Sequence, residues 1–163
     1  MNHELKQDLE LLESMMQNVT VRLRNPTNGR RGFPNHRAMT FGITRGRFNG
    51  KIELSESSKK YPLVYEEIVR IGKKWCPIEF NSIHLNHNVI CPPHKDAKNI
   101  GESCLLSFGD YTGANIVIDG ILHDAKYNPI VFNGAEIEHW NTDDLVGNKY
   151  SLVFYFTRGQ CPL

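Results

Sequence analysis

The densest chemical information in the chain lies in six residues, Cys91-Pro92-Pro93-His94-Lys95-Asp96. In an extended segment, residues two apart point to the same side. His94 and Asp96 therefore aim an imidazole and a carboxylate together, while Lys95 points away. Joined by one distant histidine, they make the two-histidine, one-carboxylate set that holds Fe(II) on one face and leaves positions open for a cosubstrate and O2. H-x-D by itself is a weak signal, so the third ligand decides the matter. His139 is the first candidate, at the end of a strand expected over 135–138 after the Asn133-Gly134 turn. His123 is the alternative; it is followed at once by Asp124 beside a turn and reads more readily as a loop residue.

Ten and twelve residues after His139 come Lys149 and Ser151. The last strand, expected over 149–157, puts Tyr150, Leu152, Phe154 and Phe156 on one face and Lys149, Ser151, Val153, Tyr155 and Thr157 on the other. A cation beside a hydroxyl offers a buried carboxylate both charge pairing and a hydrogen bond.

These groups need a scaffold. Leu5, Leu9, Leu12 and Met16 recur at helical spacing, predicting a helix over 3–17, and Val64, Ile68, Ile71 and Trp75 predict a second, with Pro62 near its start and Pro77 beyond its end. Val19–Arg24 alternates like a strand, Asn25–Pro34 is dense in turn formers and reads as an exposed loop, and Ala38–Leu54 reads as short strand pieces broken by Gly42, Gly46 and Gly50. From Phe80 the pattern turns to short β-runs near 80–86, 88–91, 103–108, 115–119, 129–132, 135–138 and 149–157, separated by turn dipeptides such as Asp119-Gly120 and Gly147-Asn148. The expected class is α+β: N-terminal helices packed on one sheet of a double-sheet jelly roll.

With 163 residues, 40% of them hydrophobic, and a net charge of +1, the chain reads as one ordered domain, and no stretch has the apolar length of a membrane span. Residues 1–78 are expected to form helices and a basic strand-and-loop region, and 79–157 the metal-binding core. Met1–Asp8 is polar and lacks a signal-peptide pattern, which gives an intracellular expectation, cytoplasmic or nuclear rather than secreted. Cys76, Cys91, Cys104 and Cys161 are widely spaced, without a C-x-x-C pair, and are expected to be free thiols.

The charge is unevenly distributed. Between Asn18 and Ile52 there is no acid, but there are Arg22, Arg24, Arg30, Arg31, Arg37, Arg45, Arg47 and Lys51. Arginine suits forked contacts with phosphate, so one reading is a surface for DNA or RNA. The other is a basic hairpin docked on the acidic remainder.

The order H-x-D, distal His, then a basic residue followed two places later by Ser resembles the 2-oxoglutarate-dependent Fe(II) dioxygenases, over about Phe80–Phe156. The resemblance implies a double-stranded β-helix (jelly-roll, cupin-like) fold, iron on His94, Asp96 and His139, and 2-oxoglutarate on Lys149 with Ser151, with O2 as second cosubstrate. Many relatives carry Arg at the Lys149 position; Lys also occurs there. Asn86-His87-Asn88, Asn99, Gly101, Ser103, Gly109, Tyr111 and Gly113 are similar to the TET/JBP-like branch, which oxidises modified pyrimidines in nucleic acid and itself resembles many small viral, phage and algal proteins of unknown substrate. Relatives often have a second glycine where Ala114 stands here.

Several further residues carry expectations. Asn86 and Asn88 are expected to hydrogen-bond the keto acid or orient ligands, with turn and strand-end chemistry as the alternative, and Tyr111 either to bond a cosubstrate oxygen or simply to pack. Asn99 and Trp140 join the arginines as candidate substrate contacts, with turn chemistry and core packing as their alternatives. His84 alternates with Phe80 and Ser82 on one strand face, where lining the pocket is one reading and a satisfied core histidine the favoured one; His87 and His36 read as surface residues. The same oxidation of a protein side chain or small molecule is the competing activity. A non-catalytic jelly-roll module that binds nucleic acid and a zinc hydrolase are the competing classes. A monomer or weak dimer is expected.

Overall fold

The computed structural model of the chain describes residues 2–17, 19, 31–45, 50–157 and 162–163, with the backbone alone at 31–37. The elements in chain order are α1 (His3–Met16), β1 (Arg31–Arg45), β2 (Ile52–Leu54), α2 (Glu56–Lys60), α3 (Pro62–Trp75), β3 (Ser82–Ile90), β4 (Asn99–Phe108), β5 (Tyr111–Thr112), β6 (Ile116–Ile118), β7 (Ile121–His123), β8 (Ile130–Phe132), β9 (His139–Asn141), β10 (Val146–Gly147) and β11 (Tyr150–Thr157).

The helices form where the periodicity places them. Asn2 caps α1, its side-chain oxygen accepting from the Glu4 and Leu5 amides at 3.0 and 3.3 Å. Pro62 opens α3, where its missing N–H leaves no helical bond unmade. Leu5, Leu9, Leu12 and Met16 of α1 and Val64, Ile68 and Ile71 of α3 are buried in one core with Phe41, Ile83, Leu85, Leu106, Phe108, Leu152 and Phe154 from the sheet beneath. Asp8 ties the two helices, taking Arg70 Nη2 at 2.7 Å and Trp75 Nε1 at 2.8 Å.

That sheet has six strands in the order β2-β1-β3-β11-β4-β8, every neighbouring pair antiparallel. A three-stranded sheet, β7-β6-β9, and a two-stranded ribbon, β10-β5, complete the described strands. A second apolar cluster, Leu105, Ile116, Ile118, Ala125 and Phe132, joins the large sheet to the small one. The expected architecture, helices on one sheet of an antiparallel double-sheet jelly roll, is the one observed.

Local expectations fail where tertiary pairing overrides local signals. The loop expected through Pro34 is strand from Arg31 onward; the β1–β3 register shifts between Gly32 and Arg37, so Pro34 sits where the ladder is interrupted. Gly42 does not break β1 but lies inside it, at φ +79°, because a Cβ there would collide with the Asn81 carbonyl oxygen. The runs near 80–86 and 88–91 are one strand, β3, bent at Asn88 (φ 54°). Residues 135–138 are turn rather than strand, and β9 starts only at His139. Helix α2, capped by Ser55, was not expected. The strand expected over Val19–Arg24 lies outside the described residues apart from Val19.

Candidate metal centre

The three candidate ligands reach one point by backbone pairing. His94 and His139 form an antiparallel bridge, with N–H to carbonyl distances of 3.1 and 3.0 Å. The Asp96 amide donates to the Gly134 carbonyl at 2.8 Å, and the Asn141 amide to the Cys91 carbonyl at 2.9 Å. Segment 91–96 is thus laced to 134–141, which carries the third candidate ligand.

The ligand atoms of His94, Asp96 and His139 lie within 4.8 Å of one another. His94 Nε2 is 3.7 Å from Asp96 Oδ1, and His139 Nε2 is 3.4 Å from Asp96 Oδ2. Both distances fall inside the roughly 4.2 Å spanned by two bonds of about 2.1 Å to a shared ion. His94 Nδ1 donates to the Pro92 carbonyl at 2.7 Å and His139 Nδ1 to the Ile137 carbonyl at 3.0 Å. A carbonyl only accepts, so each ring carries its proton on Nδ1 and, when neutral, presents the Nε2 lone pair to its partners. Phe132 packs edge-on against His139, with ring centroids 4.8 Å apart. Two imidazole Nε2 atoms and a carboxylate on one side of a cavity are a donor set that fits Fe(II).

The cavity holds about 180 Å³ and opens between the large sheet and the small one. Strand alternation decides its walls. Ser151, Val153 and Tyr155 of β11 and His84 and Asn86 of β3 face it, while Leu152, Phe154, Ile83 and Leu85 face the helices. Register sets Ser151 opposite Asn86 and Val153 opposite His84. Leu105, Ile116 and Phe132 supply an apolar wall.

Lys149 lines the cavity and is only 6% exposed. Its ammonium donates to the Ala114 carbonyl and lies 5.4 Å from the centre of the Tyr111 ring. Among the described residues no carboxylate is paired with it; Asp124 and Asp144 act only at longer range. Burial therefore prevails and holds its pKa down at about 8, against opposing contributions from Cys91, Asp124 and Asp144.

The remaining sequence candidates divide. Asn86 and Asn99 line the cavity, and the Asn86 side-chain oxygen is buried without a hydrogen-bond partner. Asn88 is absent from the lining; its side chain accepts from the Lys149 amide at 2.8 Å and so fixes that residue's backbone. Tyr111 also stands behind the lining: its hydroxyl is 2.7 Å from Ser107 Oγ, and burial pushes its pKa up to about 12. Trp140 is not in the lining, because on β9 it alternates with His139 and Asn141, which are. His84, expected as a core residue, lines the cavity with its Nδ1 3.2 Å from Thr40 Oγ1, whereas His87, expected at the surface, is buried and stacked on Tyr150 at 4.2 Å. His123 sits on β7 and does not line the cavity.

Among the arginines, Arg45 donates from Nε to the Gly50 carbonyl at 3.2 Å on the exposed end of β1. Arg31 and Arg37 lie on β1, and Arg22, Arg24, Arg30 and Arg47 fall outside the described residues. Among the described residues, Cys76, Cys91 and Cys104 form no disulfide. No helix among the described residues is long and apolar enough to cross a membrane.

Sequence reasoning assigned no role to Asn141, Cys91 or Tyr155. Asn141 lies two residues after His139 on the same strand face, and its side-chain oxygen accepts from the Cys91 amide at 3.1 Å. The His139-x-Asn141 spacing was the available signal.

No family model and no curated sequence matches the chain. Solved structures do. NgTET1 in complex with 5mC DNA aligns over 97% of this chain and 69% of its own, at 14% identity and TM-score 0.60. A 2OG-Fe(II) oxygenase-family oxidoreductase from Burkholderia pseudomallei aligns over 93% and 79%, at 15% identity and TM-score 0.58. A prolyl-4-hydroxylase from Pseudomonas putida aligns over 96% and 86%, at 15% identity and TM-score 0.53. The chain thus has the double-stranded β-helix fold of the 2OG-Fe(II) oxygenases, and within that fold His94, Asp96 and His139 share one cavity with a buried lysine.

Proposed function

We propose that the protein is an Fe(II)- and 2-oxoglutarate-dependent dioxygenase. The observation that carries the reading is Lys149, a buried ammonium without an ion-paired carboxylate among the described residues, in the cavity that also holds a facial two-histidine, one-carboxylate set. Burying an unpaired cation is costly, so its place is explained by an anion that arrives with the ligand.

Bound iron and keto acid supply O2 activation and oxidation of a substrate C–H bond coupled to decarboxylation of the keto acid. The chain's own contributions follow from where its residues stand. His94, Asp96 and His139 hold the metal, with Pro92 and Ile137 carbonyls fixing the imidazole orientations. Lys149 and Ser151 receive the distal carboxylate, and Asn86, opposite Ser151, contributes a side-chain amide beside them. Leu105, Ile116, Phe132 and Val153 keep water from the reacting centre. Asn99, His84 and Tyr155 present polar groups to a substrate at the remaining wall.

As substrate we propose a modified pyrimidine, such as 5-methylcytosine, in nucleic acid. The support is the acid-free, arginine-rich stretch over 18–52, together with the likeness to NgTET1, whose structure is a complex with 5mC DNA. A base within a duplex is out of reach, so the target is flipped or single-stranded. The likeness to a prolyl-4-hydroxylase supports a second reading, the same oxidation on a protein side chain.

The test is anaerobic titration of the protein with Fe(II) and 2-oxoglutarate, following the visible charge-transfer band of the chelate. The band is expected in the wild type, absent in His139→Ala and weakened in Lys149→Ala. Folded wild-type protein without a band overturns the reading. Turnover of methylated oligonucleotides against prolyl peptides then separates the two substrate classes.

A further inference from the structure

Tyr111 belongs to no layer of the cavity lining, yet it is only 6% exposed and is held from several sides. Its hydroxyl is 2.7 Å from Ser107 Oγ, and Ser107 stands opposite Ser151 in the sheet. Its carbonyl accepts from Lys126 Nζ at 2.8 Å, and that ammonium also lies 4.6 Å from the ring centre. The ring is therefore fixed before any ligand arrives. Against it, 5.4 Å from its centre, lies the Lys149 ammonium.

The other support of that ammonium is equally built. Ala114 presents its carbonyl from a turn in which Gly113 (φ 71°) and Ala114 (φ 48°) are both left-handed. Asp144 secures the turn: its Oδ1 accepts from the Ala114 amide at 2.8 Å, and its backbone carbonyl fills the space that a side chain on residue 113 would need. The Lys149 amide donates to Asn88 Oδ1 at 2.8 Å. An ammonium has three donors. One meets Ala114, the ring face attracts the charge from a second side, and the cavity offers the third direction.

We infer that Tyr111 is a positioning residue, whose ring face aims the Lys149 ammonium at the distal carboxylate of the keto acid without touching the keto acid itself. The inference rests on the proposed cosubstrate reading and deepens it. It assigns the role to the aromatic face: the hydroxyl is already engaged by Ser107, and attraction of a cation to a ring is strongest where water is excluded.

The test is calorimetric titration of the full chain, loaded with Mn(II), with 2-oxoglutarate and with 2-oxopentanoate, which has the same length but no distal carboxylate. The variants are Tyr111→Leu, Tyr111→Phe, and Tyr111→Phe carrying a fluorinated ring at that position, which keeps the shape and drains the ring's electron density. The expected result is that Tyr111→Leu and the fluorinated protein bind 2-oxoglutarate roughly 5- to 30-fold more weakly. Tyr111→Phe is expected to stay near the wild type, and 2-oxopentanoate to bind all four proteins alike. Equal weakening of both keto acids would show a merely structural role and overturn the inference. So would a Tyr111→Phe loss as large as that of Tyr111→Leu, or no loss in the fluorinated protein. A wild type that does not prefer 2-oxoglutarate to 2-oxopentanoate overturns the cosubstrate reading, and this inference with it.

Discussion

His94 and His139 face each other across a backbone bridge that either position would make with any side chain, since both of its hydrogen bonds, 3.1 and 3.0 Å, run between main-chain groups. Ring and backbone have separate tasks. The bridge sets the spacing of the two residues, and the Nδ1 bonds to Pro92 and Ile137 set the direction of the rings.

Removing a ring therefore removes a donor and leaves the bridge. His139→Ala is expected to weaken Fe(II) or Mn(II) binding by more than roughly 100-fold, beyond what loss of an outer hydrogen bond costs. The far-ultraviolet circular dichroism of the metal-free protein is expected to match the wild type. A variant that binds metal as tightly as the wild type would remove His139 from the site.

Lys149 gives the site a pH dependence whose sign can be worked out. Its pKa is about 8 in the fold, against 10.5 for an ordinary lysine. Below pH 8 the folded and unfolded chains both carry the proton, and the folded chain bears the whole penalty of the buried charge. Between about 8 and 10.5 only the unfolded chain holds it, so stability from this group rises with pH across that window. The penalty below pH 8 is roughly 3 kcal/mol. Lys149→Met removes it and is expected to raise the apoprotein's melting temperature at pH 7 by several degrees, while keto-acid binding is weakened. An unchanged or lowered melting temperature would contradict the account.

Binding of the proposed cosubstrate is expected to run the other way. A carboxylate arriving beside Lys149 favours the charged form, so ligand binding takes up a proton above pH 8. Affinity for 2-oxoglutarate is expected to be level below pH 8 and to fall by up to about tenfold per pH unit above it. Isothermal titration in buffers of different ionisation enthalpy measures that proton directly.

Gly72 marks where α3 touches the sheet. A Cβ there would lie 2.5 Å from ring carbons of both Phe80 and Phe154. Alanine is the better helix former by about 1 kcal/mol, but the overlap with two buried rings outweighs that gain. Gly72→Ala is expected to destabilise the protein by about 1–3 kcal/mol in denaturant unfolding. Stabilisation would mean the helix can lift from the sheet at no cost.

The nucleic-acid reading makes a salt prediction. Replacing Arg22, Arg24, Arg30 and Arg31 with Ser is expected to weaken binding to a methylated oligonucleotide. It is also expected to flatten the salt dependence, by nearly one in log–log slope for each phosphate that the arginines no longer neutralise. Iron and 2-oxoglutarate binding are expected to persist. An unchanged slope would leave the basic stretch without a role in the substrate.

The sequence by itself determined the two long helices, the two faces of β11 and the common side of His94 and Asp96, because each rests on a local period of 3.6 or 2 that the chain cannot hide. It also singled out Lys149 and Ser151, which both line the cavity although β11 begins only at Tyr150, one residue after the expected start of that strand. Tertiary structure alone decided what pairs across the sheets. Pro34 and Gly42 look like breaks in isolation and lie within β1, since the ladder with β3 and the close approach of Asn81 outweigh local preference. Asn88 and Tyr111, for which a ligand contact was one of two expectations, support Lys149 from behind, and His84 lines the cavity instead of the core that was the favoured reading for it. Whether a polar side chain meets a ligand or braces the residue that does depends on contacts between strands distant in sequence, and periodicity carries no record of those.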